Sequence, residues 1–78
     1  MNDARRNVID KIMNRIEHLM AEVNAVLLEE REAFENMSEE LQQNDEGQTV
    51  KDAIGYLKQA SVQLDEAIGE LLCAQEPS

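Results

Sequence analysis

The sequence is poor in the residues that usually carry chemistry or hold small proteins together. Its 78 residues include one cysteine, one histidine, one tyrosine, one phenylalanine and no tryptophan. Cys73 has no partner for a disulfide, and an unpaired thiol is typical of a reducing compartment. Because Cys73 and His18 are the only soft metal ligands, the chain cannot supply a zinc site by itself. We expect no metal and no other cofactor.

Long hydrophobic runs are also missing. Arg5 and Arg6 resemble the basic start of a signal peptide, but polar or charged residues at positions 10, 11, 14 and 15 interrupt any apolar segment after them. No run approaches the ~20 apolar residues that cross a bilayer. We expect a soluble, cytoplasmic protein.

Basic residues are scarce, with seven Lys and Arg against 17 Asp and Glu and a net charge of −10. Residues 1–20 carry four bases and three acids, whereas the remainder carries three bases and 14 acids. Such a surface repels nucleic acid and anionic lipid, so we expect neither as a partner. It attracts basic protein surfaces.

Catalytic patterns are absent too. His18 has no second positioned group beside it, and a Glu-x-x-His metal motif would need glutamate where the chain has Arg15. Cys73 lies among Glu70, Glu76 and apolar residues, with no base to activate its thiol. The sequence therefore predicts no enzyme and no catalytic residue.

The chain does contain apolar residues at heptad spacing. The longest such series covers residues 8–41, and the rest of the predicted fold packs against it. Offsets of three and four residues place them on one side of a helix, in a stripe wide enough to need two or more neighbours. A second series, with leucine and alanine rows, follows from residue 50. We expect the core and dimer contacts to be formed by Ile9, Ile12, Met13, Ile16, Leu19, Met20, Val23, Val26, Leu27, Phe34, Val50, Ile54, Leu57, Leu64, Ile68 and Leu71. Tyr56 should lie at the edge of this core.

These patterns predict one domain over residues 1–78, with a helix at 4–37, a joint at 38–47 and a second helix at 48–74. Asn2 and Asp3 can cap the first helix, and Thr49 with Asp52 resembles a capping box for the second. The joint contains the turn-formers Asn36, Asn44, Asp45 and Gly47. Residues 38–42 are either a short helical turn capped by Ser38 or the frayed end of the first helix, with Leu41 over the core. Pro77 should end the second helix.

The expected fold is all-α, an antiparallel two-helix hairpin that dimerises into a four-helix bundle. The first helix has Arg5 and Arg6 at its positive end and glutamates toward its negative end, opposing the helix dipole. Antiparallel pairing of two copies, crossing near Glu22 and Val23, would bring these opposite charges together. Alternatively, the charges form a solvated face with no such role.

The best candidate for a partner site is the acidic stretch over residues 29–46, with eight acids against Arg31. In a continuous helix its acids would follow one another about every 3.4 Å, the phosphate spacing of one DNA strand. This match favours a mimic that occupies a basic groove, while a purely solvating surface is the alternative. The candidate partner-binding residues are Glu29, Glu30, Glu32, Glu35, Glu39, Glu40, Asp45 and Glu46.

The segment LEEREAFENM at 28–37, with Glu39, Leu41-Gln42 and Gly47, resembles small helical proteins encoded by bacterial prophages and mobile elements. A weaker match is the repeat formed by Ala53-Ile54, Leu57, Leu64 and Ala67-Ile68, and the group commonly has proline in place of Ser38. The resemblance implies no established activity. It favours an accessory protein, and small acidic phage proteins often inhibit host systems stoichiometrically. We therefore expect an interaction module, plausibly an inhibitor, or alternatively a purely structural bundle that binds only itself.

Overall fold

The computed structural model describes residues 1–76, so the expected role of Pro77 lies outside the described residues. Regular structure in this range consists of α1 (Asp3–Glu35), α2 (Glu39–Gln43) and α3 (Asp45–Gln75). The all-helical class is confirmed, with one long helix packed against another. No helix within residues 1–76 combines the length and apolarity that a membrane span requires.

Helix α1 begins where the sequence predicts and ends earlier. The Asn2 side chain accepts a hydrogen bond from the Arg5 amide at 2.9 Å, which satisfies one of the free donors of the first turn. The helix ends at Glu35 rather than at residue 37. The reason lies in the next element: the Gln42 side-chain amide donates to the carbonyls of Phe34 at 2.8 Å and Met37 at 3.3 Å. These bonds replace the helical partners that the last turn lacks.

Helix α2 settles the alternatives for residues 38–42 in favour of a separate short helix. Ser38 is its N-cap, with its hydroxyl accepting from the Leu41 amide at 3.3 Å. Leu41 was expected to cover the core, but it is 38% exposed and does not.

Helix α3 begins at Asp45, not at residue 48, and the predicted capping box is wrong. Asn44 is the N-cap, and its side chain accepts from the amides of Glu46 and Gly47. Thr49 is already one turn inside the helix, where its hydroxyl donates to the Asp45 carbonyl at 2.9 Å. Asp52 accepts from the Gln48 side chain rather than from a backbone amide of the first turn.

Gly47 does not form a turn. It is helical and buried, and no residue in the described range has a positive φ. A Cβ at this position would overlap the Gln42 carbonyl and lie 2.5 Å from the Leu41 carbonyl oxygen. Glycine is required there because the start of α3 crosses the end of α2 too closely for a side chain.

Helices α1 and α3 lie side by side along most of their lengths. The Gln75 amide donates to the Arg6 carbonyl at 3.0 Å and to Asp10 at 2.8 Å. The Ser61 hydroxyl donates to Asn24 at 2.9 Å. Further on, the Lys51 ammonium lies 5.5 Å from the centre of the Phe34 ring. The molecule is a rod with extents of 58 × 16 × 12 Å.

The hydrophobic contact between the helices is thin. Among residues 1–76, Met13 and Leu27 are the only buried residues with apolar side chains, and each still has 8% of its surface exposed. Most other residues of the predicted core are half-buried, while Leu19 and Val26 are 51% and 46% exposed. The placement of Tyr56 at the core edge is wrong, because it is 78% exposed. The single chain therefore leaves much of its apolar stripe in water.

Candidate functional site

An apolar groove opens midway along the rod, between α1 and α3. We use this name for the depression lined by Leu19, Glu22, Val23, Val26, Leu57 and Leu64. Leu19 and Val26 are seven residues apart on α1, as are Leu57 and Leu64 on α3, so the same heptad spacing that pairs the helices also builds the groove. Glu22 is its one charged lining residue. A second depression along α1 is lined by Val8, Lys11, Ile12, Asn14 and Arg15.

The exposed area of the chain is larger than that of a compact monomer of the same mass. A compact monomer of 8.8 kDa exposes about 4,800 Å², whereas this chain exposes 5854 Å². Its radius of gyration is 17.6 Å, against roughly 11.5 Å for a compact domain of this length. The surplus of about 1,100 Å² reflects a two-helix layer with nothing packed against either side.

The acidic side chains predicted to bind a partner gather around the joint between the long helices. We call this group the acidic end: Glu29, Glu30, Glu32, Glu35, Glu39, Glu40, Asp45 and Glu46. They come from the last turns of α1, from α2 and from the first turn of α3. All are exposed except Glu30, which is half-buried.

The charge of the acidic end is not neutralised within the chain. In the part of the chain that the structure describes, the one ion pair joins Arg6 to Asp3 at 3.6 Å, far from this end. None of the eight carboxylates accepts a hydrogen bond in residues 1–76. Lys51, the nearest base on α3, is directed at the Phe34 ring. The acidic end is thus free to attract an external cationic surface.

One premise of the acidic-stretch prediction is wrong. The regular spacing of about 3.4 Å per acid requires one continuous helix over residues 29–46. The chain instead leaves the helical path after Glu35 and again at Asn44, because Ser38 and Asn44 cap new helices there. The acids form a cluster on three helices, not a row with the spacing of a DNA strand.

The two residues considered for catalysis or metal binding, His18 and Cys73, lie at different places along the rod. His18 is exposed on α1, and Cys73 is exposed near the end of α3. Among residues 1–76, no three His, Cys, Asp or Glu side chains are grouped so that they could hold a metal ion.

Glu30 differs from the other residues of the acidic end in its position along α1. It was grouped with the other acids, yet it occupies the step at which the series Ile9, Ile16, Val23, Met37 lacks an apolar residue. That interruption of the series places Glu30 on the apolar side of the helix. The structure accordingly leaves Glu30 half-buried, unlike its neighbours.

Comparisons with protein-family models, with curated proteins and with solved structures found no match to this chain.

Proposed function

We propose that this protein is a small acidic protein-interaction module whose acidic end binds a basic surface of another protein. The observation that carries the proposal is that seven of these eight acidic residues are exposed and that none of the eight forms an ion pair within residues 1–76. A concentrated negative field steers basic surfaces toward it and repels nucleic acid and anionic lipid. The partner class that fits is a nucleic-acid-binding protein, because its groove is built to accept negative charge.

The form of this activity that we propose is stoichiometric inhibition. Occupying a basic groove excludes the nucleic acid without any chemical step. An origin in a prophage or mobile element accords with the resemblance of residues 28–37 and remains part of the proposal.

The scaffold we propose is an antiparallel hairpin that pairs with a second copy in a four-helix bundle. Support for the hairpin comes from the contacts of Gln75 with Arg6 and Asp10 and of Lys51 with Phe34, which join opposite ends of the two long helices. Support for the dimer comes from the apolar groove and from the surplus exposed area. Domains of this size usually need additional core from oligomerisation, metal or disulfides.

A pull-down from bacterial lysate at low and high salt tests the proposed activity. We expect recovery of a nucleic-acid-binding protein at low salt, its loss at high salt, and its release by added duplex DNA. Replacing Glu29, Glu32, Glu35 and Glu39 together by glutamine should abolish recovery. A matched control replaces four exposed acids elsewhere, Glu17, Asp65, Glu66 and Glu70, by their amides, and should retain it.

A purely structural bundle is the second candidate, and the apolar groove is the observation that favours it. Such a surface needs only another copy of the chain, with the acids serving solubility. Recovery of nothing but the protein itself at every salt concentration would support this candidate and contradict the interaction module.

A further inference from the structure

One side of α1 is arranged symmetrically about the point between Glu22 and Val23. Three pairs of residues lie at equal distances from that point. Leu19 and Val26 are the inner pair, Arg15 and Glu30 the next, and Ile12 and Ala33 the outer pair. Their successive offsets of three, four and seven residues keep all six on one helix side. This is the side on which the apolar groove and the second depression open.

Symmetry of this kind has a direct consequence for two antiparallel copies. When a two-fold axis crosses between Glu22 and Val23, each residue meets the one equally far from the axis on the other helix. Leu19 then meets Val26, and Arg15 meets Glu30, each contact occurring twice. Among these six residues, apolar side chains meet apolar side chains and Arg15 meets Glu30. Glu22, the charged lining residue of the groove, lies next to the axis opposite Val23.

We propose that a second copy of this chain packs antiparallel against this side of α1, with reciprocal Arg15–Glu30 ion pairs flanking a Leu19–Val26 centre. The proposal deepens the dimer of the proposed function and rests on it. It assigns the contact surface, the direction of pairing and the residues that set its register.

The areas and exposures fit this occupant. A stable protein interface buries about 800 Å² on each partner, and the chain exposes about 1,100 Å² more than a compact monomer of its mass. Leu19 and Val26 are about half exposed in the single chain, although their heptad positions belong to the apolar stripe. A second copy covers them with the same two side chains.

The charges fit it as well. Glu30 is the half-buried carboxylate of the acidic end, and Arg15 borders the depression next to Ile12. Neither has an ion-pair partner within residues 1–76. They are separated by 15 residues of one helix, about 22 Å, so they cannot pair within one chain. Glu30 lies on the helix side that the second copy would cover, and a guanidinium there can bind its carboxylate through two hydrogen bonds.

The arrangement leaves the acidic end available to a partner. At about 100° per residue, Glu29, Glu32 and Glu35 point at least about 100° away from Glu30 around α1. Dimer formation therefore uses one acid of the end and leaves those three exposed.

Charge reversal tests the register. Arg15→Glu and Glu30→Arg are each purified, and their self-association is measured by analytical ultracentrifugation alone and as an equimolar mixture. Each variant alone places two like-charged pairs in its homodimer, so we expect its dissociation constant to rise at least about tenfold. In the mixture both pairs become complementary, so a heterodimer should form with about the affinity of the parent. Arg31→Glu and Glu17→Arg, exposed reversals on the same helix, are the controls and should dimerise like the parent.

Circular dichroism of each variant confirms that it remains helical, and restoration in the mixture shows that neither variant has simply failed to fold. The proposal is overturned if the mixture associates no better than the separate variants, if the reversals leave dimerisation unchanged, or if the parent chain is a monomer. The lysate pull-down with Glu29, Glu32, Glu35 and Glu39 exchanged reports on partner binding independently. Failure of the register and failure of the interaction module are therefore distinguishable.

Discussion

Gly47 lies where α2 and α3 contact each other too closely to leave room for a side chain. Its backbone is helical, so glycine is not needed for an unusual conformation. Its missing side chain lets the first turn of α3 lie against the carbonyls of Gln42 and Leu41. Gly55 and Gly69, by contrast, have no atom within 4 Å of an added Cβ.

Gly47→Ala should lower the free energy of unfolding by about 1–3 kcal/mol, because the methyl group overlaps backbone atoms that cannot move away as a side chain would. Gly55→Ala is the matched control. It should raise that free energy by roughly 0.5–1 kcal/mol, because alanine is the better helix former and the site is open. Urea denaturation at one protein concentration measures both. An unchanged stability for Gly47→Ala would mean that α2 and α3 do not approach this closely.

Gln42 ties α2 to the end of α1. Its side-chain amide donates to the carbonyls of Phe34 and Met37, the first of which also accepts from the Met37 backbone amide. Gln42→Glu removes the donor and places a carboxylate beside these oxygens, so the free energy of unfolding should fall by about 1–3 kcal/mol. Gln43→Glu makes the same charge change at the next residue, which is exposed, and should stay within about 0.5 kcal/mol of the parent. Equal effects of the two variants in urea denaturation would show that the bonds from the Gln42 side chain to the end of α1 do not stabilise the fold.

Residue types alone located the joint but misassigned the roles within it. The asparagines in residues 36–47 correctly indicated where the helical path is interrupted, whereas Gly47 lies inside α3. They could not show which asparagine caps a helix, because Asn44 and Thr49 both have suitable side chains. The contacts of Gln42 and Gly47 join residues in different helices, which no local pattern records.

At the scale of the elements, heptad spacing predicted both long helices, and the caps decided their limits. Apolar periodicity continues past Glu35 to Met37 and Leu41, so it gives no signal for the break. The break comes from competition between continuing α1 and starting a new helix capped by Ser38. Such competition depends on hydrogen bonds that form only in the folded joint.

The start of α3 is tested by comparing two substitutions. Asn44→Ala removes the acceptor for the amides of Glu46 and Gly47, so it should cost about 0.5–2 kcal/mol of unfolding free energy. Thr49→Ala removes only a bond within the helix and should change stability by less than about 0.5 kcal/mol. The reverse order of the two effects in urea denaturation would restore the capping box at Thr49 and Asp52.

At the scale of the whole molecule, composition and periodicity predicted the all-helical class, and the structure confirms it together with the packing of one long helix on another. Of the candidate sites, the acidic end is distributed over three helices, and the regular spacing expected for its acids is absent. Its role as a binding site, the hairpin topology and the dimer remain predictions. Sequence could not divide the apolar stripe between contacts within one chain and contacts between chains, because both use the same heptad positions.

The central claim is the proposed covering of the apolar groove by a second copy, which rests on the exposure of Leu19 and Val26 at heptad positions of the apolar stripe. Sedimentation equilibrium of the purified chain across a series of concentrations tests it most directly. The account predicts a species with twice the 8.8 kDa mass of one chain, dissociating reversibly on dilution. A single 8.8 kDa species persisting at high micromolar concentration would contradict it.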